Sequence, residues 1–253
     1  MSDEQRVLAD LIAMSRELGK PENDYVILGE GNTSARIDDD FFFVKASGKY
    51  LAHADENTFV KLKLKDAVAI LDQGNLTDEQ IKQALFAACA DPASKLRPSI
   101  ETMFHSFLLT LPGINFVGHT HATAILAMMC SVNAEKIVSG RICPDEIVYC
   151  GIEPVVMEYV DPGVGLGRAI REQVYRYIDR HGIPPKEILI RNHGIIALGA
   201  NAHEVEAITA MACKVARILA GASVFGGIRY MTQANVDRIY TRPDEACRRE
   251  QFK

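Results

Sequence analysis

With 253 residues, 48% of them hydrophobic, and a formal net charge of −5, the chain is long enough for one large domain with a buried core and poorly suited to two small ones. Its 28 basic residues are scattered and form no stripe, which speaks against a nucleic-acid partner. The acidic opening Met1-Ser2-Asp3-Glu4 is unlike the basic start of a secretory signal, and no apolar run approaches bilayer-spanning length, so a soluble, cytoplasmic protein with no membrane partner is expected.

In chain order, Val7, Leu8, Leu11, Ile12 and Leu18 recur at helical spacing, predicting an amphipathic helix over residues 3–18 that stops at Gly19. Aromatic and branched runs at 25–28, 41–44 and 59–64 predict neighbouring strands, separated by turns at Gly31-Asn32 and Ser47-Gly48. Helical segments follow at 67–71 and 77–90. Pro98-Ser99-Ile100-Glu101 then opens a helix to about residue 111, with Ser99 or a neighbour as cap and Glu101 in the first turn. Beyond it, strand and helix alternate: strands at 115–119, 146–149 with 155–159, and 187–191 with 195–198, and helices at 122–130, 164–180 and 202–220. Such alternation predicts a sheet sandwiched between helices, an α/β domain spanning 1–253, with 225–253 as a polar tail over the surface or a neighbouring subunit. Six dispersed cysteines (Cys89, Cys130, Cys143, Cys150, Cys213, Cys247), with no C-x-x-C pair, read as reduced, partly buried small hydrophobes.

His119 and His121 follow an apolar strand, and residues two apart in an extended chain point to one face, so both imidazoles can reach one ion. A lone His-x-His has a second reading, two rings capping a strand end by hydrogen bonds. His193 supplies a third imidazole at another strand end, beside Gly194, and two strand ends of one sheet can converge. Glu101 is available as fourth ligand or as a base, against the plainer reading of a first-turn glutamate favoured by the helix dipole. Three histidines with a carboxylate make a Zn²⁺-like set that also admits other divalent first-row metals. His105 shares a helix face with Glu101 and reads either as orienting that carboxylate or as a satisfied core histidine; His53, His181 and His203 read as surface residues. The glycine-centred turns at 29–34 and 45–48, with the helix opening at Ser99, offer N–H groups and hydroxyls for an anion, although each alone is more often an ordinary turn.

The order Gly31-Asn32-x-Ser34, Ser47-Gly48, Pro98-Ser99-Ile100-Glu101, His119-x-His121 and Asn192-His193-Gly194 resembles the class II aldolase and adducin-head family. The resemblance runs from about residue 5 to residue 220 and includes fuculose- and rhamnulose-phosphate aldolases and ribulose-phosphate 4-epimerase. Within it, Glu135-Lys136-Ile137 and the segment from Tyr159 to Gly163 look most like the aldolase half of bifunctional rhamnulose-phosphate aldolase/dehydrogenases. It implies a three-layer α/β/α domain around a mixed, largely antiparallel nine-stranded sheet, and a homotetramer with sites between subunits. It further implies metal-ligand roles for His119, His121 and His193, with Glu101 as acid/base and candidate ligand, and a phosphate held by Asn32, Ser47, Gly48 and Ser99. Ile100 departs from the pattern, since many members carry a second hydroxyl there. The family's tyrosine from a neighbouring subunit has only Tyr230 and Tyr240 as tail candidates.

The expected chemistry is retro-aldol cleavage of a ketose 1-phosphate to dihydroxyacetone phosphate and an aldehyde, with the enediolate stabilised by the metal and the proton handled by Glu101. The same set serves the family's 4-epimerases, which re-add the aldehyde, and decarboxylases of 3-oxo sugar acid phosphates; an adducin-like, non-catalytic scaffold is the reading from another class. Epimerases tend to carry Asp at the position of Glu101, and a scaffold need not keep three histidines.

Overall fold

A computed structural model describes residues 1–250 of the chain. Its strands are β1 (Asn32–Arg36), β2 (Phe41–Lys45), β3 (Phe59–Lys63), β4 (Phe116–Thr120), β5 (Val155–Met157), β6 (Glu187–Ile190) and β7 (Gly194–Gly199). Its helices are α1 (Asp3–Leu18), α2 (Leu64–Ala69), α3 (Asp78–Ala87), α4 (Thr102–Leu108), α5 (Thr123–Met129), α6 (Ala134–Ile137), α7 (Pro144–Cys150), α8 (Val164–His181), α9 (Ala202–Val224), α10 (Gln233–Thr241) and α11 (Pro243–Glu250). The strands form one sheet in the order β3-β2-β1-β4-β7-β6-β5. Every neighbouring pair is antiparallel except β5 with β6. The described sheet thus has seven strands where the resemblance implied nine, while its mixed, largely antiparallel character is as expected.

Alternation along the strands divides the core in two. On one face Phe42, Val44, Val117, Ile190, Ile196 and Leu198 meet Met103, Phe104 and Phe107 of α4 and Leu166, Ile170 and Val174 of α8. On the other, Phe43, Phe116, Ile195 and Ala197 meet Leu11, Met14 and Leu18 of α1, Ile125 and Met129 of α5, and Val205 and Ile208 of α9. α1 begins where its sequence signals place it: the Ser2 hydroxyl accepts from Gln5 N–H and the Gln5 side chain accepts from Ser2 N–H, closing both ends of a capping box.

β1 is unusual for a central strand. Asn32, Thr33 and Ser34 are all buried, and their polar side chains find partners on both sides of the sheet. The Ser15 hydroxyl of α1 donates to the Leu11 carbonyl at 2.7 Å, so at the 2.6 Å contact the Thr33 hydroxyl donates to Ser15 Oγ. On the opposite face Ser34 Oγ lies 2.7 Å from His105 Nδ1 of α4.

Several expectations need correction. Residues 25–28 are not a strand: Asp24 (φ 57°) and Leu28 (φ 53°) take left-handed backbone, so Tyr25 and Val26 turn into the core while Ile27 and Leu28 are exposed. The segment 32–36, expected as part of a turn, is the strand instead. Residues 146–149 are helical, because Pro144 at the first helical position and Asp145 and Glu146 in the first turn are start signals that outweigh β propensity. α4 begins one residue after Glu101, which is its N-cap, and ends at Leu108, short of residue 111. Among the cysteines, Cys89, Cys150 and Cys213 are buried, but Cys130 and Cys247 are exposed. The expectation about apolar runs also changes: α9 is long and apolar enough by length and composition to cross a membrane. Its apolar face is taken up by α1, α5 and β4, as in a core helix of the domain. Within the expected tail, α10 and α11 pack against α7; residues 251–253 lie outside the described residues.

Candidate active site

Register builds the site. Asn32 on β1 pairs directly with His119 on β4, so their side chains emerge side by side on the α4 face of the sheet. His121 follows β4 two residues on. His193 comes from the short turn that closes on the Ile190–Gly194 pair of β6 and β7. That turn needs Asn192 at φ 55° and a glycine after the histidine: Gly194 has φ 153°, and a Cβ there would lie 2.3 Å from the Thr120 carbonyl oxygen. The turn therefore rides directly on the end of β4, between His119 and His121.

The three imidazoles converge. His119 Nε2 and His121 Nε2 are 3.0 Å apart, and the His193 ring centroid lies 4.8 Å from that of His119 and 5.1 Å from that of His121. One ligand atom from each falls within 4.8 Å of the others. His119 Nδ1 donates to the Ile195 carbonyl at 3.0 Å, leaving Nε2 as the lone-pair nitrogen. Burial pushes His119 down to about 4, and burial together with the neighbouring His193 also lowers His121.

These residues fit a divalent ion. Two imidazole nitrogens at 3.0 Å need a proton or a cation between them. Tetrahedral ligation at the usual Zn–N length would separate neighbouring nitrogens by about 3.3 Å. Neutral rings are the ligand form a metal requires, and His193 Nδ1 and Glu101 Oε1 are buried here without a hydrogen-bond partner.

Glu101 faces the trio and is 7% exposed. Its Oε2 lies 3.6 Å from His119 Nε2 and its Oε1 3.3 Å from His193 Nε2. Oε2 accepts from Asn32 Nδ2 at 2.6 Å. Burial alone would raise this carboxyl, but the His119 and His193 rings and the Asn32 donor outweigh it and hold the group below the usual carboxylate range, ionised. His105, fully buried and stacked on Phe104 with centroids 4.6 Å apart, hydrogen-bonds Asn32 Oδ1 through Nε2. Burial pushes His105 down to about 3, so its ring is neutral.

Three of the expected anion-binding residues, Ser47, Gly48 and Ser99, are set near one another by backbone pairing. Ser47 and Gly48 form the turn after β2, with Gly48 at φ 78°, and the Ala46–Pro98 bridge sets this turn beside Ser99. The Ser47 N–H is already given to the Arg97 carbonyl at 2.8 Å, leaving the Ser47 hydroxyl and the Gly48 N–H without a partner among the described residues. Ser99 Oγ accepts from Glu101 N–H at 3.2 Å. Asn32 has one amide N–H on Glu101 and its carbonyl on His105.

Lys45, at the end of β2, has two readings in the sequence: an ammonium turned toward the glycine-centred turns, adding a positive charge for an anion, or a solvated side chain on an exposed strand face. It is 2% exposed, with Nζ donating to the carbonyls of Gly29 and Lys49, and burial pushes it down to about 8 against the pull of Glu101. Tyr159, read in the sequence only as the start of a family-like segment, has its ring centroid 6.5 Å from that of His193. Tyr230 is engaged elsewhere, donating to the Lys136 and Ile137 carbonyls. A buried cluster away from the site was also missed: Arg141 Nη1 donates to Glu146 and Glu187, each at 2.9 Å.

A sheet flanked by helices on both faces, with three convergent imidazoles opposite one carboxylate, defines a histidine-based candidate metal site of the kind class II aldolases use. The chain belongs to the Class II Aldolase and Adducin N-terminal domain family, whose pattern it matches over residues 9–220. It is 32% identical over 180 residues to the uncharacterized oxidoreductase YuxG of Bacillus subtilis (strain 168), a match that takes in 68% of this chain and 23% of that protein. The chain thus spans about a quarter of the length of this curated relative. Among solved structures it resembles the N-terminal class II aldolase domain of a conserved protein from Thermoplasma acidophilum (25% identity, TM-score 0.68, 83% of this chain and 92% of that one). In fold it also resembles an L-fuculose 1-phosphate aldolase (17% identity, TM-score 0.68, 93% and 94% of the two chains).

Proposed function

We propose that the chain is a divalent-metal-dependent aldehyde-lyase, zinc being the first choice of ion, that cleaves a ketose 1-phosphate into dihydroxyacetone phosphate and an aldehyde. The observation that carries this reading is the convergence of His119, His121 and His193 opposite a carboxylate with one unsatisfied oxygen. The three imidazoles would hold the ion, with Glu101 at its edge as an additional ligand when no substrate is present. A divalent ion there supplies Lewis acidity toward the carbonyl and neighbouring hydroxyl oxygens of a ketose.

The chain's own groups do the rest. Ser47, Gly48 and Ser99 bind the phosphate, and Asn32 can add its second amide N–H. Lys45, buried nearby with no carboxylate in ion-pairing distance among the described residues, favours an anion at this end of the site. When the bond between the two halves of the sugar breaks, its electron pair stays on the three-carbon fragment. The hydroxyl on the other fragment becomes the aldehyde carbonyl and gives up its proton. Glu101, ionised at rest, takes a proton up, and Oε1 passes it to the carbon. The proton lost from oxygen balances the one gained by carbon, and synthesis runs the same steps in reverse. Exposed Ile27 and Leu28, in the loop leading to Asn32, and half-exposed Tyr159 would be covered by a neighbouring subunit of a cytoplasmic homotetramer.

The test is a panel of ketose 1-phosphates and their unphosphorylated counterparts, assayed for aldehyde release with and without chelation. Metal-dependent release from a phosphorylated ketose supports the proposal. Formation of an epimer or of carbon dioxide would assign a sister reaction of the family instead, and equal turnover of the free sugar would remove the phosphate assignment. Full turnover by protein stripped of all detectable metal would sink the mechanism.

A further inference from the structure

We propose that His105 is a positioning residue that decides which oxygen of Glu101 is free to move a proton, an inference that rests on Glu101 being the acid/base. An ionised carboxylate only accepts hydrogen bonds, so the Asn32 group 2.6 Å from Glu101 Oε2 must be the amide nitrogen. The Asn32 carbonyl oxygen then faces His105 Nε2, and because that oxygen can only accept, Nε2 must carry the ring's proton. His105 Nδ1 is left as a lone pair, and the Ser34 hydroxyl, 2.7 Å away, donates to it. Turning the amide over would set its oxygen against the Glu101 carboxylate. One proton arrangement therefore satisfies all four groups.

The consequence falls on Glu101. Its Oε2 is tied to β1 through Asn32, while Oε1 has no hydrogen-bond partner among the described residues and lies 3.3 Å from His193 Nε2. Glu101 and His105 lie one turn apart, at the cap and within α4, and Asn32 bridges them, so the carboxylate is held through a ring that starts and ends on the same helix. A histidine that merely filled the core would have no need of a specified tautomer.

The experiment compares metal-loaded wild type with His105→Phe, which keeps an aromatic ring against Phe104 but has no donor, and His105→Gln, whose amide can donate to Asn32 and accept from Ser34. Proton exchange between dihydroxyacetone phosphate and solvent reads the function. In His105→Phe its maximal rate falls about ten- to a hundredfold through misplacement of the carboxylate, while KM and bound metal per chain stay within about twofold. His105→Gln recovers most of the loss. Nitrogen-15 spectra of the imidazoles read the arrangement directly: wild type shows His105 with Nε2 protonated and Nδ1 bare, and the Asn32 amide resonances shift in His105→Phe. A protonated Nδ1 in wild type, or equal losses in the Phe and Gln variants, overturns the proposal. If wild type itself exchanges nothing, the reading of Glu101 fails, and the spectra still decide the proton arrangement on His105 independently. Should His105→Phe not fold, Ser34→Ala serves: it removes the donor to Nδ1, and mixed tautomers with a smaller loss of exchange are expected, whereas an unchanged tautomer and rate refute the relay.

Discussion

Gly194→Ala is the sharpest probe of how the imidazoles are held. A methyl group at this position would meet the Thr120 carbonyl oxygen at 2.3 Å, roughly 1 Å inside ordinary contact, and the backbone there has φ 153°. Neither neighbour is a flexible side chain. The obstacle is the main chain of β4, between His119 and His121, so relief comes from shifting the β6–β7 turn and His193 with it by about 1 Å. Backbone strain of this kind amounts to about 1–3 kcal/mol, and in a domain of this size the midpoint of thermal unfolding should fall by about 2–6 °C. A displacement of that size in one of three ligands should weaken metal binding by about ten- to a hundredfold, because the ion must accept a distorted set or lose a ligand. Competition with a chromogenic chelator measures the affinity, and calorimetry of the metal-free protein measures the stability separately. Unchanged affinity and midpoint together would refute the argument that the close approach of Gly194 to β4 is what positions His193.

Glu101→Gln keeps the shape but removes the proton acceptor, so exchange of dihydroxyacetone phosphate protons with solvent should fall by roughly two to four orders of magnitude in a protein that still folds. Normal exchange would dismiss Glu101 as the acid/base. Arg141→Met should destabilise the protein by about 3–5 kcal/mol in urea titrations, since it strands Glu146 and Glu187 as buried carboxylates, and Glu187→Gln in the same chain should recover part of the loss. A change under about 1 kcal/mol would show the cluster to be dispensable. For the metal-free protein, His119 is held at about 4 when folded and is unperturbed near 6.5 when unfolded. The unfolded chain therefore binds the extra proton first, and stability should decline as pH falls from about 6.5 to about 4, by on the order of 3 kcal/mol from this residue alone. His105 and the depressed carboxyl of Glu101 act in the same direction. A flat stability curve over that window, measured by denaturant titration at several pH values, would contradict the neutral, buried state of these rings.

The convergence of the histidines was legible in the sequence because strand geometry turns spacing into direction: His119 and His121, two apart at the end of an apolar run, had to share a face. The Asn192-His193-Gly194 turn was legible for a similar reason, since a glycine after a histidine at a strand end marks a tight approach. β1 was not. Asn32, Thr33 and Ser34 read as the polar half of a turn after Gly31, because nothing local reveals that Ser34 and Asn32 meet a histidine more than seventy residues later. Lys45 could not be decided for the same reason, as alternation along Phe41–Lys45 cannot say that its ammonium ends among backbone carbonyls. At residues 144–150 competing local signals were both present, and the helix start at Pro144 prevailed over the branched and aromatic residues that followed.

The polarity of β1 has a consequence for anyone seeking a sturdier version of this protein. A strand at the middle of a sheet is where apolar substitution ordinarily raises stability, and Asn32, Thr33 and Ser34 are the obvious targets for it. Yet these three side chains link α1 on one side to α4 on the other, and on the α4 side they also define the setting of Glu101. Selection for heat resistance alone would therefore be drawn to a strand whose improvement disturbs the site, and a stabilisation campaign should leave β1 untouched and work outward from the helical layers.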